Sequence, residues 1–276
     1  MNHLGAPPTA DFDVDITAAQ VAFFHEHGYL ALGRITTDDE LSWLRAAYDS
    51  LVVGRPNKGM PHSIYDTTRP YGEPGELLLG QVLRPENTVP QITQTALWRN
   101  ARRVALRLLD LPDRDVEHWG HLVHKPARIG KVTPWHQDEG YWDPDLAYHA
   151  VGAWTPLDDA TIDNGCMWFV PGSHKQPIHR HRHSQNNPAI ATLELVDKVD
   201  VSGAVAVPLR AGEVSFHHPR TLHYAGPNIT NGDRRAWANE FQSAPLRLAI
   251  PADRPWVRAA HQAMRDVYLK RDRIKT

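Results

Sequence analysis

Trp135-His136-Gln137-Asp138-Glu139 sets an imidazole and a carboxylate two residues apart inside an apparent strand. Alternate residues of a strand point to one face, so His136 and Asp138 aim at one point while Gln137 looks away. A neutral imidazole and a carboxylate, completed by a second histidine from elsewhere, form the facial triad of non-haem Fe(II) centres. That donor set leaves coordination positions open for a cosubstrate and oxygen. The spacing alone carries little weight, because a chain with 17 histidines and 32 acidic residues produces His-x-Asp by chance. A strand end with two ordinary polar residues has the same pattern, so the surroundings must decide.

Around this stretch, from Pro112 onward, the chain is a series of short strand-like segments separated by turn residues. They span 118–125, 134–141, 149–157, 166–170, 204–208, 213–217, 221–225 and 235–241. Eight short strands predict a barrel or jelly roll. Toward the N-terminus, residues 1–16 are rich in Pro, Ala and Asp and read as a loose lead-in. Thr17 and Gln20 fit a capping box for a helix that Gly28 stops, and a short buried strand follows at 29–32. Thr37 with Glu40 repeats the capping pattern ahead of Leu41, Leu44, Tyr48 and Leu51, which predicts a second helix. From 54 to 90, Gly, Pro and Asn break any periodicity, and the segment reads as irregular, of the kind that forms lids or binding walls. A third helix is predicted over 97–109, with Arg99, Arg102, Arg103 and Arg107 on a solvated side. A fourth is predicted over 256–268.

No internal repeat, Gly/Ser linker or composition break divides the chain. The expectation is one mainly β domain over 1–276, with a helical and irregular flank at 17–111, a jelly-roll core at 112–245 and a C-terminal helix within 254–270. Its 276 residues, 41% of them hydrophobic, suffice for a substantial core. The net charge of -2 gives no basic excess, so nucleic acid is not an expected partner. The single cysteine, Cys166, excludes an intrachain disulfide and a Cys-based zinc cluster, and it reads as a buried small side chain. The first residues lack a basic and apolar leader, and no run approaches the roughly 18 apolar residues of a membrane span. A cytoplasmic protein with no membrane partner is expected.

Within residues 216–228, three histidines compete to complete the metal site. His217 and His218 are adjacent and face opposite ways in a strand, whereas His223 precedes a Gly-Pro-Asn turn. Arg234, eleven residues after His223, has the planar fork that grips a carboxylate, although a surface ion pair is the plainer role. His179-Arg180-His181-Arg182-His183 looks metal-grabbing, yet alternating cations between Pro177 and Pro188 read first as a solvated loop that is able to close over a substrate.

Several separated motifs, in order, give the chain a family resemblance from about His121 to Phe241. They are Lys125-Pro126, His136-Gln137-Asp138, Trp154-Thr155-Pro156-Leu157, Asn164-Gly165-Cys166, Pro171-Gly172-Ser173-His174, His218-Pro219, and His223 with Gly226, Asn228 and Arg234. This set resembles the phytanoyl-CoA dioxygenase family of Fe(II)- and 2-oxoglutarate-dependent oxygenases. The resemblance implies a double-stranded β-helix, a cupin-like jelly roll, in agreement with the strand count. It implies His136, Asp138 and His223 as ligands of Fe(II), with Arg234 on the distal carboxylate of the cosubstrate 2-oxoglutarate and O2 as the oxidant. Gln137 and Trp154 would line the cosubstrate pocket, and His121 stands where the family often has an apolar residue. Two residues after the distal histidine the family often has Ser, and here it is Ala225, so one hydroxyl contact is missing.

Trp135, Tyr141, Trp142, His118 and His121 surround the metal strand. Flat aromatic faces with imidazole donors suit a glycoside or another hydroxylated ring. The expected activity is therefore a tailoring oxidation, hydroxylation or oxidative ring closure, of a freestanding small metabolite. A terpenoid acid held by Arg180 or Arg182, or an acyl-CoA, is the alternative within the family. A metal-dependent cupin isomerase or hydrolase without 2-oxoglutarate is the alternative outside it, and it would have no need of Arg234. A halogenase is disfavoured, since Asp138 is present as a ligand.

Overall fold

The computed structural model describes residues 4–8, 11–52, 64–73 and 75–273, with backbone alone for 64 and 266–273. The N-terminal part holds α1 (Ala18–His27), β1 (Tyr29–Leu32), α2 (Asp38–Val52), β2 (Ile64–Asp66), β3 (Gly80–Leu83) and α3 (Ala96–Leu109). There follow β4 (Glu117–Lys125), β5 (Thr133–His136), β6 (Leu146–Ala147), β7 (Ala150–Pro156), β8 (Met167–Phe169), β9 (His181–His183) and β10 (Leu193–Leu195). The chain ends with β11 (Val205–Val207), β12 (Val214–His217), β13 (His223–Ala225), β14 (Arg234–Gln242), β15 (Leu246–Arg247) and α4 (Pro255–Arg273).

Local signals account for the start of the chain. The Thr17–Gln20 capping box is made on both sides, and Gly28, at φ 79°, closes α1 with its N–H on the Phe24 carbonyl. That left-handed residue turns the chain at once into β1, which pairs with β12 and sets Tyr29 opposite His217. The second capping box is only half made. Glu40 N–H donates to Thr37 Oγ1, but the Glu40 carboxylate turns inward and accepts from Ala96 N–H at 2.6 Å and Leu97 N–H at 3.0 Å. The open N–H groups and dipole of α3 make a better partner for a buried carboxylate than its own helix start.

The architecture is a mainly antiparallel double-stranded β-helix. A large sheet runs β1-β12-β7-β14-β4-β3-β2 and a smaller one β11-β8-β13-β5. One face of the large sheet, carrying Val151, Ala153, Val214, Phe216, Trp237 and Phe241, packs on Leu41, Leu44 and Leu51 of α2 and Leu97, Val104 and Leu108 of α3. Each of the Val, Leu and Phe side chains contributes about 1.5–3 kcal/mol by leaving water. The other face meets the small sheet through Trp154, Ala236 and Ala238 against Met167, Phe169, Val207 and Ala225. Arg102, Arg103 and Arg107 pair with Asp113, Asp13 and Asp15, as a solvated helix side should. No helix among the described residues is long and apolar enough to cross a membrane.

Three expectations need correction. The irregular segment from 54 to 90 contains β2 and β3, which extend the large sheet beside β4; its residues 54–63 lie outside the described residues. The strand expected over 134–141 ends at His136, and Asp138 begins a 3-10 turn to Tyr141. The 179–183 run is no solvated loop: β9 pairs with β10, burying His181 and His183, while Arg180 and Arg182 turn outward onto Asp197 and Glu194. Strand alternation separates the two residue types, so the imidazoles serve the interior and the guanidinia the surface.

Candidate active site

Between the sheets lies a cavity of about 620 Å3. His136 ends β5 and His223 begins β13, and the two residues are direct partners across the small sheet. One donor atom each from His136, Asp138 and His223 lies within 4.8 Å of the others. The imidazoles are pre-oriented: His136 Nδ1 sits 2.7 Å from the Pro134 carbonyl and His223 Nδ1 2.9 Å from that of Thr221. A carbonyl only accepts, so each Nδ1 carries the proton and each Nε2 lone pair faces the cluster. Both Nε2 atoms face Asp138 Oδ1, at 3.5 and 3.4 Å. Two neutral nitrogens and an anionic oxygen at this separation fit a single divalent ion.

His217 stands outside that set and donates from Nε2 to Asp138 Oδ2 at 2.8 Å. It therefore fixes the carboxylate rotamer and leaves Oδ1 for the centre. His218 faces away, accepting from Arg220 N–H and lying beside His174.

Asp138 is also held from behind. Its neighbour Glu139, 1% exposed, accepts from Arg220 on both carboxylate oxygens and from Arg254 on Oε1 at 2.8 Å, and Trp256 Nε1 donates to the Gly140 carbonyl. The start of α4 is thus clamped to the turn that presents Asp138. Removing one partner of a buried ion pair costs about 3–5 kcal/mol. Arg220 remains in Arg254→Met, so we expect a loss of about 3 kcal/mol in urea unfolding, with a weaker metal affinity to match.

Arg234 reaches the cavity from the start of β14. It is 1% exposed, and its Nε and Nη1 have no hydrogen-bond partner among the described residues. Its guanidinium lies 5.4 Å from the centre of the Trp154 ring. Burial pulls its pKa down to about 10, so it stays protonated at neutral pH. A buried cation with no counter-ion is costly, and it fits an incoming carboxylate. Arg235, its neighbour, faces the other way onto Asp158 and Asp49. His121 also lines the cavity, and burial lowers its pKa to about 4, so its ring is neutral.

Tyr141, Trp142 and Trp154 line the cavity. Gln137, Trp135 and His118 do not. Gln137 is fully buried and points away, donating to the Arg220 carbonyl and accepting from His179 N–H. Trp135, one residue out of step with His136, stacks on Tyr224. His118, three residues before His121 and so on the opposite face of β4, sits with Trp98 and Asn239. Lining residues that the sequence reading missed include Trp119 and Glu240, which share strand parity with His121 and Arg234. Tyr65, Tyr71, Gln81 and Arg84 also line the cavity, from a segment without periodic signal.

Comparison with known proteins gives the same picture. The family model described as "Phytanoyl-CoA dioxygenase (PhyH)" matches residues 24–236. The crystal structure of EvdO2 from Micromonospora carbonacea var. aurantiaca, complexed with 2-oxoglutarate, is 39% identical with a TM-score of 0.78, covering 88% of this chain and 98% of that one. The non-heme alpha ketoglutarate dependent carbocyclase SnoK from nogalamycin biosynthesis is 25% identical with a TM-score of 0.62, covering 88% and 89%. Peroxisomal phytanoyl-CoA dioxygenase from Mus musculus is 24% identical over 83% of this chain and 69% of its own length.

Proposed function

We propose that this chain, which belongs to the phytanoyl-CoA dioxygenase family, carries out a tailoring oxidation of a small hydroxylated metabolite, with His136, Asp138 and His223 as Fe(II) ligands and Arg234 as the 2-oxoglutarate receptor. That the chain is a Fe(II)/2-oxoglutarate-dependent oxygenase follows from its family and from the 2-oxoglutarate complex of its relative EvdO2. The observation that carries the residue roles is the buried, uncompensated Arg234 guanidinium in the same cavity as the His136–Asp138–His223 cluster.

Bound Fe(II), with 2-oxoglutarate and oxygen, supplies the oxidising power to break a C–H bond, and the cosubstrate leaves as succinate and carbon dioxide. The chain's own part is placement and exclusion. His217 keeps Asp138 in one rotamer, Arg234 fixes the far end of the cosubstrate, and Trp154 covers that guanidinium. Tyr65, Tyr71, Trp119, Tyr141 and Trp142 wall the remaining space. Such walls suit the C–H faces of a ring system whose oxygens meet Thr67, Gln81 and Thr192 on the same surface. Arg180 and Arg182, the anchors considered for a terpenoid acid, are occupied by Asp197 and Glu194 and do not line the cavity.

The test is a screen of metabolites for stimulated 2-oxoglutarate decarboxylation, followed by product mass. We expect turnover with free glycosides or related ring systems and a gain of one oxygen. A loss of two hydrogens would mean ring closure or desaturation instead, a course for which the carbocyclase SnoK is the precedent. Turnover only on acyl-CoA substrates, with free metabolites inert, would overturn the proposed substrate class.

A further inference from the structure

Across the cavity face of the large sheet, four residues form one row: His217 pairs with Gly152, Gly152 with Glu240, and Glu240 with Trp119. His217 serves the metal side through Asp138. Glu240 has no comparable task. It is 3% exposed, lines the cavity, and its Oε2 has no hydrogen-bond partner among the described residues. Gly152 makes its room, since an added Cβ would stand 3.0 Å from Glu240 Oε1 and 2.9 Å from His217 Cε1.

An unpartnered buried carboxyl destabilises the fold, and an apolar side chain of similar volume would remove that cost. Groups that cost stability and satisfy nothing within the fold are typical of binding sites. Burial, and after it the charge of Asp138, pushes the Glu240 carboxyl well above its usual range. A carboxyl accepts hydrogen bonds in either protonation state and, when it holds its proton, donates one as well.

Resting on the oxygenase reading above, we propose that Glu240 is a specificity-determining residue for the prime substrate: its carboxyl hydrogen-bonds a hydroxyl or ring oxygen of a saccharide-like ring lying against Trp119. The selectivity follows from an asymmetry. A site with a buried hydrogen-bonding group strongly rejects a substrate that leaves the group unpaired, by about 10⁴ or more in favourable cases. An acyl chain would leave Glu240 unpaired in the cavity, whereas a hydroxylated ring satisfies it.

The parent, Glu240→Gln and Glu240→Leu are loaded with Zn(II) and 2-oxoglutarate, so that nothing turns over. Each is titrated by saturation-transfer NMR with the methyl glycosides of glucose, mannose, galactose and fucose and with maltose. The proposal expects at least one probe to bind the parent, Gln to hold it within about threefold and Leu to lose at least about tenfold. It further expects equal 2-oxoglutarate binding in all three proteins and a melting temperature of the Leu variant at or above the parent's. Parent-like glycoside binding by Glu240→Leu overturns it. So does a Gln variant as weak as Leu, or a parent that binds 2-oxoglutarate but none of the probes. Failure of the parent to bind 2-oxoglutarate counts against the oxygenase reading itself, which separates the two failures.

Discussion

Arg234→Met should raise the 2-oxoglutarate concentration needed for half-maximal turnover by about 100-fold or more, with Fe(II) binding changed by less than about twofold. Truncating one side of a buried, hydrogen-bonded charge pair costs about 2–5 kcal/mol, equivalent to some 30- to 5000-fold in affinity. Arg234 lies at the upper end because it is buried and its Nε and Nη1 have no hydrogen-bond partner among the described residues. Arg235→Met is the control. Its guanidinium spans Asp158 and Asp49 on the opposite face, so its loss should lower stability and leave the 2-oxoglutarate requirement within about twofold. Kinetics at saturating Fe(II), with 2-oxoglutarate varied, compare the two directly. An equal loss from both variants would remove the basis for assigning Arg234.

The second large effect is on the metal. His223→Ala and Asp138→Ala should each abolish measurable Fe(II) binding, while His218→Ala binds as the parent does. His217→Ala should fall between, with a loss of about 10- to 100-fold, the usual cost of removing a group that orients a ligand. The ordering follows from the contacts: His223 faces Asp138 Oδ1, His217 holds Oδ2, and His218 points toward His174. Anaerobic titration of the apo variants with Fe(II) reads all four. Full binding by His223→Ala together with loss in His218→Ala would reverse the assignment of the third ligand.

Much of this was legible because short-range rules decide it. The Thr17 capping box and the Gly28 stop follow from local chemistry, and β7, β12 and β14, buried on both faces, read as short strand segments bounded by turn residues. Arg234 was separable from Arg235 by the same alternation. Strand alternation also explains the residues that turn away from the site. His118 and Trp135 are out of step with His121 and His136, and Gln137, still extended as it follows His136, faces the opposite side from it, so all three face elsewhere. Glu240 was equally predictable by counting in twos from Arg234. Other features had no local signal. Glu40 leaves its own helix to cap α3, 56 residues on, and β3 finds its partner β4 only in the folded sheet. His181 and His183 look solvated in sequence because their arginine neighbours are charged, and only pairing with β10 shows which side is buried.

The central claim is that this chain oxidises its substrate at the expense of 2-oxoglutarate, within the cavity shared by His136, Asp138, His223 and Arg234. The most direct measurement is turnover under 18O-labelled oxygen with the substrate found by the screen, with succinate analysed by mass. The account predicts one labelled oxygen in each succinate formed, in step with substrate consumed, and about a tenth as much or less from Arg234→Met at a 2-oxoglutarate concentration that just saturates the parent. Substrate conversion without succinate, or with succinate free of label, would contradict it.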